Sequence, residues 1–385
     1  MKSEPIYQIV LLGNGVDAHG VGLETLVQKR ADEISKDLVR ILRIIRVATI
    51  GQLIPNAPTV AVYLGGDTAT DRQLVRRLQG DAVPVIPVVS DLDSYCMETP
   101  DELHPVNGTA VDWSHPDFTE IVNVVFENLS LLRRERRLFI SYLRKESTDA
   151  AHQLRVSFDD AGYDTFLDIS SVPKGDDFQA VLMHRLLDSD VMIVLDTPDF
   201  LTSRWTQEEV AQASAMSVGI LRVAWPSVSG ARFAELAEHL LLKEEEIEGK
   251  GLTAAAVGRI VRAAEALRAR NVAARHDNLV GEFCEAAASV GLDHAIQPQR
   301  FVIGWKADGR RVAAIPAVGV PDAQRFHDAS RRFPVAGEVA DEAVLLYDHR
   351  GMHSEWIEFL GWLDQHLPVK GLRVTNTAAF LKGYQ

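Results

Sequence analysis

Short apolar runs alternate with stretches of helical periodicity along most of this chain. Val60–Leu64, Val85–Val89, Val191–Leu195, Ile220–Val223, Val344–Tyr347 and Leu372–Val374 read as strands. Between them, Thr70–Leu78, Ser203–Met216 and Ser354–Leu367 space their apolar residues as helices do. Three segments therefore share one strand–helix–strand plan at similar offsets. That plan predicts related βαβ units, right-handed crossovers and parallel sheets, an α/β fold class.

The pattern extends outward from each unit. Ile9–Leu12 is an apolar strand followed by Gly13-Asn14-Gly15, and the spacing predicts a long helix over Leu23–Ile45. Asp149–Ala161 predicts a helix with Leu154 and Phe158 on one face and Gly162 as its C-cap. Phe166-Leu167 is the next strand and Asp177–Leu187 the next helix. A helical region is expected over Ala231–Val290, broken near Gly249–Gly251. Strands near Phe301–Trp305 and Arg311–Ile315 and a helix near Asp322–Arg331 follow. No low-complexity linker separates these parts.

Composition narrows the function classes. The chain has 385 residues, enough for two or three domains, and 46% of them are hydrophobic. A net charge of −14 argues against broad nucleic-acid binding, which needs clustered Lys and Arg. The one basic cluster, Arg133, Arg134, Arg136 and Arg137, is expected to be solvated. Cys96 and Cys284 lie far apart, giving neither a disulfide framework nor a metal site. With no signal-peptide pattern and no apolar stretch long enough to span a membrane, a cytoplasmic location without membrane contact is expected.

The chemistry concentrates between Leu138 and Val210. Leu-Phe-Ile-Ser-Tyr is followed by Phe-Leu-Asp-Ile-Ser-Ser-Val-Pro-Lys-Gly, then Val-Met-Ile-Val-Leu-Asp, then Ser-Arg-Trp-Thr-Gln-Glu-Glu-Val. Trp205 and Glu209, four residues apart, project from one helix face, whereas Glu208 points elsewhere. This order and spacing resembles the Toll/interleukin-1 receptor (TIR) domain, and specifically its NAD-cleaving bacterial multidomain members.

The resemblance implies a central flavodoxin-like parallel-sheet domain over 133–230. A degenerate TIR-like α/β domain would precede it at 1–132. A helical linker over 231–295 and a smaller α/β domain over 296–385, itself a candidate degenerate TIR-like unit, would follow. It implies Glu209 as the catalytic carboxylate and NAD+ as substrate, with no separate cofactor and no metal. Phe139, Ser141, Arg144, Lys145, Asp168, Lys174 and Trp205 would hold the nucleotide, the cations facing its pyrophosphate. The loop Ser170–Asp177, turned by Pro173 and Gly175, would mediate head-to-tail self-association and gate the site. Such contacts are heterologous and can extend into filaments. The implied activity is NAD+ glycohydrolysis, to ADP-ribose or a cyclic isomer, in bacterial immune signalling or anti-phage defence under an unnamed trigger. A non-catalytic adaptor assembling through TIR–TIR contacts is the alternative. A nucleoside deoxyribosyltransferase relative is a third.

The remaining motifs are weaker. Gly13-x-Gly15 with Gly20 departs from the dinucleotide fingerprint and reads as a strand-to-helix turn. In the third segment Ser354-Glu355-Trp356 repeats the Ser-x-Trp start, but Leu360 stands where the glutamate would be. Trp225-Pro226 is expected to pack. The histidines lack metal-ligand spacing, Asp348-His349 with His353 being the nearest cluster, and no Gly-x-Ser-x-Gly elbow supports serine hydrolysis.

Overall fold

The computed structural model describes residues 7–54, 57–66, 71–167, 178–200, 213–214, 217–228, 237–297, 300–336 and 340–383. They form two compact units, Met1–Arg134 and Glu135–Gln385.

In the first unit β1 (Tyr7–Leu12), β2 (Leu42–Arg46), β3 (Thr59–Leu64), β4 (Val85–Val89) and β5 (Thr109–Ala110) form a sheet of order β2-β1-β3-β4-β5. Every pairing in it is parallel. The helices are α1 (Val16–Ile34), α2 (Lys36–Ile41), α3 (Arg72–Gly80), α4 (Tyr95–Glu98) and α5 (Thr119–Asn128). All six residues of β1 are buried, as expected of a central strand covered on both faces. Helix α1 buries Val16, Gly20, Leu23, Val27, Ala31 and Ile34, one stripe at helical spacing. It stops at Ser35, whose backbone is extended. The continuous helix expected over Leu23–Ile45 is thus replaced by two helices and a strand. Ile44 and Ile45 align with Ile9 and Val10 in a parallel ladder, which gives these β-branched residues a better place than a helix does.

In the second unit β6 (Arg136–Ser141), β7 (Tyr163–Leu167), β8 (Val191–Asp196), β9 (Gly219–Ala224) and β10 (Glu238–Leu241) form a sheet of order β10-β9-β8-β6-β7. All its pairings are parallel. Written from the first strand of each unit, both sheets have the same doubly wound order. Helices α6 (Arg144–Asp160) and α7 (Phe178–Asp188) serve this sheet. A small antiparallel hairpin, β11 (Ile247–Glu248) and β12 (Gly251–Leu252), packs on α6. Part of the region expected to be helical from Ala231 is strand β10, whose His239 and Leu240 lie beside Arg222 and Val223.

Helix α8 (Ala254–Ser289) spans 36 residues, and Thr253 caps it by accepting the Ala256 N–H. The third sheet, β13 (His294–Ile296), β14 (Val302–Trp305), β15 (Arg311–Ala317), β16 (Glu342–Tyr347) and β17 (Lys370–Arg373), runs in sequence order. Its first two pairings are antiparallel and its last two parallel. It is flanked by α9 (Ala323–Ala336), α10 (Ser354–His366) and α11 (Thr377–Leu381). The early half of α8 joins the core of the second sheet through Ile260, Ala264 and Leu267. Its later half contacts β13, β14 and β15.

The arginine cluster is not a solvated end. Arg136 is buried and pairs with buried Glu265 of α8 at 3.0 Å, and Arg137 pairs with buried Asp188. Charges inside a core persist only when paired, and both partners lie far along the chain, where sequence reading does not reach.

Candidate functional site

Chain direction reverses at β6: α6 leads from it to β7 on one side, and α7 returns to β8 on the other. Outside the C-terminal ends of β6 and β8 the connections diverge and leave a crevice, the usual ligand position in such sheets. Ser141 ends β6 and Asp196 ends β8, and both are fully buried. Phe139, also fully buried, stacks on Phe166 at 5.3 Å and supports the edge from within the core.

The chain turns at Tyr142-Leu143 straight into α6, whose first turn carries Arg144 and Lys145, both exposed. No described residue forms an ion pair with either. Leu143 offers no side-chain cap, and its carbonyl accepts the Glu146 and Ser147 N–H groups at 2.9 and 3.0 Å, so the two exposed cations of this first turn are what suits it to an anion. Glu146 in the same turn accepts the Asp199 N–H at 3.1 Å, tying the start of α6 to the loop after β8. A kink at Ser147 frees the Ala150 N–H, which donates to Lys250 O at 3.1 Å. Gln153 completes that seam by exchanging hydrogen bonds with the Leu252 backbone.

Sequence reading passed over one group at this edge. Arg222, in β9, is buried and donates through Nε to Asp196 Oδ2 at 2.6 Å. Its Nη1 lies 3.4 Å from His239 Nδ1, and its Nη2 is buried with no hydrogen-bond partner among the described residues. The signal was a lone arginine inside Gly-Ile-Leu-Arg-Val-Ala, a strand buried on both faces. Trp225, just beyond β9, packs partly buried against the core, and its backbone N–H donates to Asp196 O at 3.1 Å.

Asp168, Lys174, Trp205, Glu209 and the loop Ser170–Asp177 lie outside the described residues. Phe200 and Ala213, which bracket residues 201–212, are both fully buried in the cluster that holds Phe139 and Met192. Phe200 and Ala213 therefore both pack on the sheet face that carries Arg222. In the third segment Trp356 Nε1 donates to Pro321 O at 2.8 Å, and Leu360 is a core residue. Among the described residues no His, Cys, Asp and Glu group could hold a metal ion, and no helix is long and apolar enough to cross a membrane.

Comparison with known proteins gives one family. The family model for the TIR domain matches residues 138–233. No curated protein matches the chain. A leucine binding protein from Thermotoga maritima is 13% identical, with 74% of this chain and 83% of that one covered and a TM-score of 0.17, which carries no argument.

Proposed function

The chain carries a TIR domain over residues 138–233, and from that premise we propose that it cleaves the nicotinamide–ribose bond of NAD+. The observation that carries the reading is Ser203-x-Trp205-x-x-x-Glu209, placed in the sequence after β8, whose C-terminal end borders the crevice. Nicotinamide departs as a neutral molecule from a cationic pyridinium, so no general acid is required. The enzyme's task is to stabilise an oxocarbenium-like ribose, and Glu209 supplies the carboxylate. Arg144 and Lys145 take the pyrophosphate at the α6 N-terminus, with Lys174 a further phosphate contact. Phe139, Ser141, Asp168 and Trp205 shape the pocket.

Assembly through Ser170–Asp177 would bring a neighbouring protomer to complete the site. By family analogy the setting is bacterial immune signalling or anti-phage defence. Water as nucleophile gives ADP-ribose, and an internal nucleophile gives a cyclic isomer.

The test is incubation of purified protein with NAD+, alone and with phage-infected lysate, followed by chromatography for nicotinamide. Glu209→Gln should lower turnover by about 100-fold or more, the scale of losing one electrostatic stabiliser. An assembled protein that leaves NAD+ intact, or a Gln variant as fast as wild type, overturns the reading. The adaptor reading then gains if Pro173 and Gly175 variants alone abolish self-association.

A further inference from the structure

A cavity of about 480 Å³ lies in the second unit, where α7 and α8 meet the C-terminal ends of β15 and β16. Its apolar wall is Met183 and Leu187 from α7, Leu279 from α8, and Ala317 with Val318 at the end of β15. Its polar side holds Ser217, Asn278, Glu282, Asp348 and Arg350. The volume falls within the ~300–1,000 Å³ range of small-molecule sites. It lies outside the carboxyl ends of the adjacent parallel strands β15 and β16.

The walls are built rather than incidental. Arg275 donates to Leu187 O at 2.7 Å and Ser189 O at 2.8 Å, fixing the end of α7 to α8. Gly319 and Gly351 adopt φ of +84° and +86°, turning both loops in a way L side chains resist. Arg350 Nη2 bridges Asp348 at 2.7 Å and Glu282 at 3.0 Å, so the loop after β16 is tied to α8 across the rim.

Charge selects the ligand class. The lining carries two guanidinium groups, Arg275 and Arg350, and two carboxylates, Glu282 and Asp348, so its formal charge is balanced. A phosphate or carboxylate would have to displace the acidic partners of Arg350 or the backbone carbonyls that hold Arg275. Asn278 and Ser217 offer neutral donors and acceptors, while Met183 and Val318 suit a flat ring. We propose that this cavity binds an uncharged, hydroxyl-bearing heteroaromatic molecule of nucleoside size. The site is separate from the crevice after β6 and β8 and does not rest on the NAD+ reading. Its occupant would touch both α7 of the TIR domain and the third sheet.

The test titrates adenosine into the full chain by calorimetry, with AMP as the anionic comparison. Saturable adenosine binding tighter than ~1 mM, and tighter than AMP, is expected. Asn278 is exposed on α8, so its replacement spares the core. Asn278→Ala should weaken binding about tenfold, the worth of one good hydrogen bond, and Asn278→Trp should fill the cavity and abolish it. Absence of adenosine binding, AMP binding at least as tight, or undiminished binding in Asn278→Trp overturns the proposal. Should the Trp variant unfold, Asn278→Ala decides, with undiminished binding counting against the site.

Discussion

Asp190 and Arg268 are both fully buried, with Arg268 Nε 2.9 Å from Asp190 Oδ2. Asp190 also takes the Arg137 N–H at 3.3 Å, and Asn271 donates to Asp190 O at 2.9 Å. Arg268→Met fills similar space but takes from the buried carboxylate its Arg268 guanidinium. It should cost about 3–5 kcal/mol, read as a lower urea midpoint at unchanged slope. His184 adds a pH dependence at the neighbouring face. Its ring packs 5.3 Å from Trp356, and its Nδ1 lies 3.5 Å from the His353 N–H. Burial, then the nearby Arg185, His353 and Arg137, pushes the imidazole from 6.5 down to about 4. The folded ring stays neutral where the unfolded chain already binds a proton. Its stabilisation is therefore full above pH 6.5 and is lost as pH falls toward 4. Thermal midpoints of wild type should decline across that window, and His184→Asn should flatten the decline. Neither pair was legible beforehand. A charged residue next to other charges reads as surface, and only tertiary distance shows that Arg136, Arg137 and Arg268 point inward.

At the scale of elements, apolar runs identified most central strands because a strand covered on both faces must be apolar throughout. Periodicity failed where a short run suited either state. Leu42–Arg46 has helical spacing with the residues before it, yet it pairs with β1. The Gly13-Asn14-Gly15 turn was read correctly as strand-to-helix, and the structure gives the reason for its first glycine. Gly13 has φ +90°, and a Cβ there would lie 2.2 Å from Leu64 O, backbone that cannot move aside. Gly13→Ala should therefore destabilise the first unit by at least ~2 kcal/mol, combining backbone strain with overlap. Chemical denaturation of the full chain followed by near-UV dichroism would show an early loss of Trp113 signal, since Trp113 stacks on His19 of α1 at 4.4 Å. An unchanged first transition would mean that the turn relaxes more readily than its geometry allows.

For the whole molecule, three matching strand–helix–strand segments imply parallel βαβ units, and the first two sheets repeat one doubly wound order. The mixed third sheet departs from it, because β14 and β15 are joined by an antiparallel hairpin at Asp308-Gly309. The role of α8 is not legible in the sequence, since a helix rich in Ala and Arg reads only as a helical linker. At about 54 Å by the ordinary rise per residue, it is long enough to serve two sheets. Ala256, Ile260, Ala264 and Leu267 close the face of the second sheet formed by Leu138, Ile140, Ile193 and Leu221. Phe283, further along, fills the space over Gly304 of β14. The family match ends at residue 233, before any of this helix. A fragment of residues 135–253, which keeps β10 and the β11–β12 hairpin but not α8, would thus expose a core face that the full unit buries, and it should lack a cooperative transition in urea. A fragment of residues 135–385 keeps the helix and both sheets, and it should unfold cooperatively. Equal midpoints for the two fragments would show that α8 is dispensable to the TIR domain. A transition confined to the longer fragment would make α8 part of that domain's core, and with it the physical link between the TIR sheet and the third sheet.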